Sequence, residues 1–311
     1  MNELSIIIVS WNCKDYLRRC LESISKFPPG CSYDIILIDN ASSDGTVEMV
    51  QTSFPGIKLI INDSNRGFAA ANNVALKHFI SQFYLLLNPD TEVYDNSIQS
   101  LIDIAKRNTE VWGIGPAIIN GDGSPQRTGV RFPNNWNIFY ESLFLDKLFP
   151  HSKLFGRHRQ LYHNPNIERE LDYVQGSCIL LHNEAIKKIG FLDEDYFMYF
   201  EETDWCYRVR KAGKCILYSP LATIKHYGGG EFGHFDKHKI IHYHKSLLLF
   251  YHKHYSALRS FTLRNILIIR SLIRLCIWSI IFILQPSMRK RAASACRGYY
   301  DTLFIMLSRT S

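Results

Sequence analysis

The chain has 311 residues, of which 46% are hydrophobic and 21% charged, which excludes a disordered protein and allows one large α/β domain with an appendage. From Arg259 to the end there are nine basic residues and one acid, a formal charge of +8 that leaves −1 for residues 1–258. This asymmetry indicates an anionic partner for the basic end alone, and we expect no nucleic acid partner.

The eight cysteines occur singly, without a CxxC pair or metal-type spacing, and free thiols are typical of a reducing cytosol. The first residues, "MNELSIIIVSWN", carry an acid where a signal peptide needs positive charge, and their apolar run is short. We therefore expect a cytoplasmic protein whose first element is a β-strand.

Apolar, β-branched runs alternate with helical patterns over the first 119 residues. The predicted strands cover 4–10, 33–39, 57–62, 83–88 and 111–119, and the predicted helices cover 14–27, 46–53, 68–79 and 97–107. This alternation predicts an α/β, Rossmann-like fold with a mostly parallel sheet and flanking helices on both faces.

The pattern changes after residue 119. Residues 120–172 have no clean periodicity, and "DYVQGSCILLHNEAIKKIG" (172–190) then predicts a strand followed by a helix. "KCILYSP" and "ATIKH" are further strand candidates. "GGGEFG" (228–233) matches G-x-G-x-x-G, but it lies far from the first strand–helix turn, so we reject dinucleotide binding and expect a mobile loop.

From residue 236 the chain is predicted to be helical to its end, with an interruption near Pro286. Residues 266–284 are apolar apart from two arginines, and Arg259, Arg270, Arg274 and Gln285 fall in one stripe of a helix. An amphipathic, basic helix of this kind favours a position in a membrane interface. The alternative is a helix packed on the domain with its arginines in water.

Polar residues follow four of the predicted strands, where parallel sheets bind ligands in a crevice at the carboxyl ends. The candidate ligand-binding residues are Ser10, Asn12, Asp39, Asn40, Asp44, Asn65, Gly67, Asn73, Asn88 and Asp90. This set predicts a polar ligand such as a nucleotide sugar. Because no phosphate-binding loop occurs, a diphosphate would need a divalent cation, for which Asp90 is a candidate ligand; the alternative is a simple turn residue.

Seven motifs in order carry a family resemblance: "SIIIVSWN", "DNASSDGT", "NRGFAAANN", "LLNPD", "VQGS", "GFLDEDYFMYFEETDWCYRVRKAG" and "HYGGG". Over roughly residues 4–255 the chain resembles the family 2 inverting glycosyltransferases, in their bacterial rhamnosyltransferase-like branch. The resemblance implies a GT-A fold with a nucleotide-sugar-binding half (1–119) and an acceptor-binding, catalytic half (120–235). A helical, membrane-associated tail (236–311) would follow.

The resemblance also implies roles for single residues. Asp39 matches the acid that contacts the donor nucleoside, with Ser10 and Asn12 nearby. The "NPD" motif matches the metal-binding DxD motif, with Asn88 in place of its first acid and Asp90 retained, and His226 matches the histidine that completes the metal site, although a lone histidine is more often structural. The implied ion is Mg²⁺ or Mn²⁺.

Three acids, Glu201, Glu202 and Asp204, stand in the aromatic stretch "FMYFEETDWCYRVR", where burying unpaired carboxylates is costly. They resemble the E-D-x-D segment that carries the catalytic base, which places the base at Glu202, with Glu201 and Asp204 as alternatives. Partial burial would raise the pKa of a carboxylate that deprotonates a sugar hydroxyl. Asp204 also pairs favourably with Arg208 at i,i+4, and we expect it to be structural.

Together these expectations describe an inverting hexosyltransferase of cell-surface polysaccharide synthesis. Its donor would be dTDP-L-rhamnose, its acceptor a glycan or lipid-linked glycan, and its location the inner face of the cell membrane. The alternatives are another donor (a UDP-hexose or UDP-galactofuranose), a sugar-phosphate nucleotidyltransferase, or a non-catalytic membrane-bound scaffold. A nucleotidyltransferase would need a glycine-rich, basic N-terminal loop, which "SWNCKDYLRRC" lacks.

Overall fold

The computed structural model describes residues 2–126, 129–156, 164–228 and 237–308. The chain divides into two compact units. Unit 1 comprises residues 1–132, 163–197 and 201–231, and unit 2 comprises residues 133–162, 198–200 and 232–311. Most of the glycine run 228–233 lies outside the described residues, so its predicted mobility stays a prediction.

Of the described residues, those of unit 1 form twelve strands and six helices. The strands are β1 Leu4–Ser10, β2 Tyr33–Asp39, β3 Lys58–Ile61, β4 Phe83–Leu87, β5 Thr91–Val93, β6 Val111–Ile119, β7 Pro125–Gln126, β8 Gly129–Val130, β9 Arg169–Leu171, β10 Tyr173–Val174, β11 Cys178–His182 and β12 Cys215–His226. The helices are α1 Lys14–Lys26, α2 Thr46–Ser53, α3 Phe68–His78, α4 Ser97–Arg107, α7 Asn183–Ile189 and α8 Glu201–Lys211.

The main sheet has the strand order β3-β2-β1-β4-β11-β6-β12-β5, with β7 on β6 and β9 on β12. Strands β3, β2, β1 and β4 are parallel, and β6 is parallel to β12. Strand β11 runs antiparallel between β4 and β6, and β5 runs antiparallel to β12. Strands β8 and β10 form a separate pair. The mostly parallel sheet predicted from the sequence is confirmed.

Strand β1 shows why the apolar runs become buried strands. All seven of its residues are buried. Leu4, Ile6 and Ile8 join the apolar cluster on one face of the sheet, whereas Ile7 and Val9 join the cluster on the other. Since side chains alternate across a strand, a continuous apolar run supplies two cores, each covered by helices.

The sequence located these local elements well, and β1, β2, β6, α2 and α4 have the predicted bounds. The predicted strand 57–62 is shorter by one residue at each end, and the two candidates "KCILYSP" and "ATIKH" form one bulged strand, β12. The short strand β5 was not predicted. The sheet continues across residue 119, and the boundaries of the functional halves stay a prediction.

Unit 2 is helical, with α5 Asn135–Ser142, α6 Leu145–Leu148, α9 Lys237–His254, α10 Ala257–Leu284, a 3-10 turn Pro286–Met288 and α11 Arg289–Leu307. The predicted helical end and its break at Pro286 are confirmed, whereas α5 and α6 were not predicted. Helix α10 packs against α5, α9 and α11. By length and composition it could cross a membrane, and only 17% of its most apolar window is buried.

The prediction that Arg270 and Arg274 lie on an exposed basic stripe of α10 is wrong. The Arg270 side chain is only 15% exposed, with Nη1 3.9 Å from Glu141 Oε2. The Arg274 guanidinium stacks on Phe144 at 3.7 Å and donates to the Glu141 carbonyl oxygen. These two arginines therefore face the interior of unit 2, because α5 and α6 cover that side of the helix. The face of α10 that remains exposed is apolar.

Candidate active site

The candidate site lies at the carboxyl ends of the parallel strands of unit 1. Ser10 ends β1, Asp39 ends β2, and Asn88 follows β4. The registers Ser10↔Asp39 and Ile8↔Leu87 bring these ends to one edge of the sheet. These strand ends therefore share one edge of the sheet, as predicted, and ligand binding there stays a prediction.

Asp39 is fully buried at this edge. Its Oδ2 accepts a hydrogen bond from the Ser42 N–H at 2.8 Å. Its Oδ1 has no hydrogen-bond partner among the described residues. Buried polar atoms are almost always paired, so this oxygen is available to a donor group of a bound ligand.

The loop after β2 is built by side chains that bond to the backbone. Asn12, which has φ of 48°, accepts from the Ser43 N–H at 2.8 Å. Asp44 accepts from the N–H groups of Lys14 and Thr46, which lie at the starts of α1 and α2. Burial would raise the pKa of Asp44, but these hydrogen bonds and that of the Thr46 hydroxyl outweigh it and lower the pKa. The structure thus gives Asp44 a role in shaping the loop.

A chain of amides joins the loops after β2 and β3. Asn40 Oδ1 accepts from Asn62 Nδ2 at 2.7 Å, and Asn40 Nδ2 donates to the carbonyl oxygen of Gly67 at 3.2 Å. Asn65 Oδ1 accepts from the Gly67 N–H at 2.9 Å. Gly67 has φ of +80°, and a Cβ there would collide with the Phe197 carbonyl oxygen. Only glycine fits this close approach.

The side chain of Asn73 bonds to the segment that precedes α8. Its Nδ2 donates to the Leu192 carbonyl oxygen and to Glu194, and its Oδ1 accepts from the Leu192 N–H. The side chain is 1% exposed. These contacts tie α3 to the segment before α8, and the predicted donor-binding role of Asn73 stays a prediction.

Asp90 and His226 lie side by side because β5 and β12 pair in the register Thr91↔His226. Asp90 Oδ1 is 3.2 Å from His226 Nε2. Gln126 Oε1 contacts His226 Nδ1 at 2.7 Å, and Gln126 Nε2 donates to Asn120, which orients the amide. His226 Nδ1 is therefore a donor, and Nε2 is the nitrogen presented to Asp90.

This pair fits one edge of a divalent-cation site. A carboxylate oxygen and an imidazole nitrogen converge, and a hydrogen-bonded amide holds the imidazole, as in many metal centres. Among the residues that the structure describes, no group of three histidine, cysteine or acidic side chains converges on such a site. Two protein ligands would leave the remaining positions of such a cation to other oxygen atoms, such as those of water.

Glu201 and Glu202 begin α8. Burial first, and the neighbouring Glu202 carboxylate second, raise the pKa of Glu201 well above its usual value. Burial also raises the pKa of Glu202, but hydrogen bonds from the backbone, Thr203 and Glu201 oppose that rise. Both pKa values are therefore raised, and that of Glu201 is raised further, since Glu201 is 5% exposed whereas Glu202 is half-buried.

Asp204 is held in a buried salt bridge with Arg208. Its Oδ2 accepts from Arg208 Nε at 2.8 Å, and the Asp204 side chain is 2% exposed. Arg208 also donates to the carbonyl oxygens of Ile189 and Phe191. The predicted i,i+4 pair is present, and it joins α8 to α7.

A protein-family model matches most of the first 190 residues of the chain. Residues 5–190 match the description "Glycosyl transferase family 2". The chain belongs to glycosyl transferase family 2. As a family 2 enzyme it is an inverting glycosyltransferase, which confirms the resemblance read from its motifs.

Two curated relatives of this family 2 glycosyltransferase are similar over most of its chain. The N-acetylglucosaminyl-diphospho-decaprenol L-rhamnosyltransferase of Mycobacterium tuberculosis is 28% identical over 72% of this chain and 76% of its own. The low-salt glycan biosynthesis hexosyltransferase Agl10 of Haloferax volcanii is 28% identical over 68% of this chain and 62% of its own.

A solved structure shares the fold. The mannosyltransferase PcManGT from Pyrobaculum calidifontis, in complex with GDP-Man and Mn²⁺, matches with a TM-score of 0.57 and 12% identity, over 100% of this chain and 88% of that chain. At this identity the likeness shows the fold alone, and it confirms the GT-A fold predicted for this glycosyltransferase.

Three residues beside the candidate site were not predicted from the sequence. Gln126 orients His226 but lies in a stretch without periodicity. Gly176 lies against the Glu202 side chain, and the Ser177 carbonyl oxygen accepts from the Asn88 N–H at 2.9 Å. The motif "VQGS", which contains Gly176 and Ser177, could have indicated these two residues. They contact the base candidate and the "NPD" turn, respectively.

Proposed function

We propose that this glycosyltransferase transfers L-rhamnose from dTDP-L-rhamnose to a hydroxyl of a lipid-linked glycan in cell-surface polysaccharide synthesis. The observation that carries the chemistry is the pair of carboxyl groups at the start of α8, of which Glu202 is the more exposed and accepts a hydrogen bond from the Thr203 hydroxyl. The curated rhamnosyltransferase relative supports the choice of sugar and of a lipid-diphosphate acceptor.

In the proposed reaction Glu202 accepts the proton of the acceptor hydroxyl. The acceptor oxygen attacks the anomeric carbon as the bond from that carbon to the diphosphate breaks, so the configuration inverts. The nucleoside diphosphate leaves with the bonding electron pair. Glu201 holds a hydrogen bond to Glu202, which keeps the base in its charged form before the acceptor arrives.

Asp90 and His226 would hold Mg²⁺ or Mn²⁺, which when bound supplies positive charge to the diphosphate as it leaves. The buried Oδ1 of Asp39 is suited to accept from a ring N–H of the donor base, since it lacks a partner among the described residues. Ser10 ends the neighbouring strand β1, and Asn12 follows that strand. Both residues would complete this donor pocket.

The exposed apolar face of α10 and α11 supports attachment to an anionic membrane at the cytoplasmic face. Exposed residues of this face include Leu258, Phe261, Ile280, Ile283, Leu284, Phe304 and Leu307. Basic residues such as Arg264 and Lys290 would contact headgroups, at about 1 kcal/mol each. An apolar face flanked by basic residues is typical of interfacial helices.

The proposal is tested with the full-length protein, a panel of nucleotide sugars and a short-chain lipid-diphosphate N-acetylglucosamine. We expect a rhamnosylated product only with dTDP-L-rhamnose, and NMR should show the anomeric configuration opposite to that of the donor. Transfer from UDP-galactofuranose or a UDP-hexose instead would overturn the donor. Release of pyrophosphate from a nucleoside triphosphate would favour a nucleotidyltransferase, and absence of any turnover would favour a scaffold.

The metal proposal has its own prediction. Asp90→Ala and His226→Ala should each weaken donor binding in Mn²⁺, and the double variant should lose little more, because both act through one ion. Gln126→Leu should weaken metal affinity by about 10–100-fold, because leucine cannot accept the hydrogen bond from His226 Nδ1 that orients the imidazole. Calorimetry of donor binding with and without Mn²⁺ measures these effects. Undiminished donor binding and activity in excess chelator would contradict a metal-dependent mechanism.

A further inference from the structure

A second exposed apolar surface of unit 2 lies outside α10 and α11. It belongs to residues 135–155, which form α5, α6 and the turns that follow, and which we call the α5–α6 segment. Its large apolar side chains that reach the surface are Trp136, Leu143, Leu148, Phe149 and Leu154. Soluble proteins rarely expose so many large apolar side chains within one short segment, so this surface indicates a partner.

Ring contacts hold the α5–α6 segment together. The Trp136 ring stacks on Tyr140, with ring centres 6.1 Å apart and planes at 30°. Tyr140 meets Phe155 edge to face at 5.1 Å, and Phe155 contacts Phe149 at 5.6 Å. This chain of rings joins the two ends of the segment, so its apolar side chains are held in place by neighbours rather than hanging free in solvent.

The α5–α6 segment is also joined to the first turn of α10. Trp136, Leu154 and Arg259 line one cavity of about 550 Å³. Asn135 Nδ2 donates to the Arg259 carbonyl oxygen at 3.1 Å, and Leu258, the residue before Arg259, is 74% exposed. The segment is therefore continuous with the helix whose exposed apolar face is proposed to meet the membrane.

The charges of unit 2 identify the chemistry of the partner. Unit 2 has 17 basic and 4 acidic residues, a formal charge of +13, whereas unit 1 has 19 basic and 25 acidic residues, a charge of −6. Within the α5–α6 segment Lys147 and Lys153 are exposed. Its two acids are withdrawn from the surface, since Glu141 lies against Arg270 and Asp146 is 1% exposed. The exposed surface is therefore apolar and basic, which suits an anionic partner.

We propose that the α5–α6 segment is a second membrane contact, in which Trp136, Leu148 and Leu154 enter the boundary between headgroups and acyl chains of an anionic bilayer. Lys147 and Lys153 contact the headgroups. Indole rings favour this boundary because they combine an apolar body with a polar N–H, and basic residues beside apolar ones are typical of interfacial segments. The inference rests on the proposed membrane attachment and adds to it a surface outside α10 and α11.

Quenching of tryptophan fluorescence by brominated phospholipids tests the position of Trp136. The full-length protein is mixed with vesicles of phosphatidylglycerol and phosphatidylcholine that carry bromine on their acyl chains. Trp136 is the most exposed of the five tryptophans. We therefore expect Trp136→Phe to remove the largest part of the bromine-dependent quenching, whereas Trp112→Phe, at a buried position of unit 1, should keep it. Equal quenching of Trp136→Phe and wild type would overturn the proposal.

Vesicle flotation measures the contribution of the α5–α6 segment to binding. The triple variant Trp136→Ser, Leu148→Ser and Leu154→Ser should bind anionic vesicles about 100-fold less strongly. The double variant Lys147→Gln and Lys153→Gln removes two charges and should bind about 30-fold less strongly at low salt. Circular dichroism checks the folding of both, and if the triple variant unfolds, the double variant and the quenching of Trp136 decide.

Exposed residues of unit 1 provide matched controls. Ile80→Ser with Leu221→Ser, and Lys188→Gln with Lys211→Gln, should keep the flotation of wild type. Wild-type flotation of both segment variants would overturn this proposal and leave α10 as the membrane contact. If those variants float but change the molar mass measured by light scattering, a second copy of the chain covers the segment instead.

Failure of the wild-type protein to float would contradict the proposed membrane attachment itself, which is a different result from failure of the segment alone. Neither flotation nor quenching requires sugar transfer. The α5–α6 segment can therefore be tested even if the proposed donor or acceptor is wrong.

Discussion

Glu201 and Glu202 are adjacent in the chain, and the surroundings of their carboxyl groups differ. Glu201 is 5% exposed, and its Oε2 has no partner among the described residues. Glu202 receives hydrogen bonds from the backbone, from Thr203 and from Glu201. Burial disfavours charge, whereas donated hydrogen bonds favour it, so the pKa of Glu201 is raised further than that of Glu202.

We expect Glu202→Gln to reduce kcat by about 10²–10⁴-fold while donor affinity is kept, which is the usual range for loss of a general base. Glu201→Gln is the matched control, since glutamine still donates to Glu202, and it should keep kcat within about 10-fold of wild type. Stopped product assays at saturating donor measure both. If Glu202→Gln keeps the kcat of wild type and Glu201→Gln is inactive, then Glu201 is the base.

The pH dependence follows from the same pair. The base works as a carboxylate, and burial raises the pKa of Glu202 above its usual value. Activity should therefore rise with pH through that raised pKa, with its acid limb above the range of an exposed glutamate, about pH 4.3. A profile of kcat against pH checks this, and an acid limb at or below that of a free glutamate would contradict it.

At the scale of elements, the site depends on loops held by close backbone contacts. The Phe68 N–H donates to the Phe197 carbonyl oxygen at 2.9 Å, which ties the start of α3 to the segment before α8. Gly67 permits this approach. Tyr199 and Phe200, which precede Glu201 in the chain, both have positive φ, at 68° and 71°. Strain of this kind clusters at functional sites.

Gly67→Ala should lower Tm by several degrees and reduce activity more than about 10-fold, because the methyl group collides with backbone as well as straining a φ of +80°. Gly123→Ala is the control: its φ is +84°, but nothing lies within 4 Å of a Cβ there. That variant should lose only about 1–2 kcal/mol of stability, from backbone strain, and keep its activity. Equal effects of the two substitutions would show that strain alone matters.

At the scale of the whole molecule, the proposed lipid-linked acceptor requires a surface that contacts a membrane. Arg270 and Arg274 are held by Glu141 and Phe144 inside unit 2, so they do not reach headgroups. Truncation after Leu258 would therefore unfold unit 2 rather than release an intact enzyme. Exposed apolar residues of α10 are the better targets.

The triple variant Ile280→Ser, Ile283→Ser and Leu284→Ser should bind anionic vesicles about 100-fold less strongly, since each replacement removes roughly 1 kcal/mol of apolar burial. Its circular dichroism should stay that of wild type, because the three side chains are 54–71% exposed. Vesicle flotation measures the binding.

A matched triple variant, Ile80→Ser, Ile167→Ser and Leu221→Ser, replaces equally exposed residues of unit 1 and should float like wild type. Salt should weaken attachment of the wild-type protein only in part, because screening acts on the basic residues and not on the apolar face. If the α10 variant still floats, the membrane surface lies elsewhere on the molecule.

The sequence by itself determined the local elements and the edge of the sheet that holds the site. Strands β1, β2 and β6 and helices α2 and α4 have the predicted bounds, since apolar periodicity and β-branched content are local signals. The residues after β1, β2 and β4 meet as expected, because parallel strands end at one edge. The ordered motifs were sufficient to indicate the family.

Only the tertiary structure decided the contacts between residues far apart in the chain. Pairing of β5 with β12 brings Asp90 to His226, 136 positions later, and Gln126 reaches that histidine from a segment without a pattern. Packing of α5 against α10 turned Arg270 inward, although its spacing resembled an exposed stripe. Periodicity shows that a helix has two faces, but which face is covered depends on what packs against it.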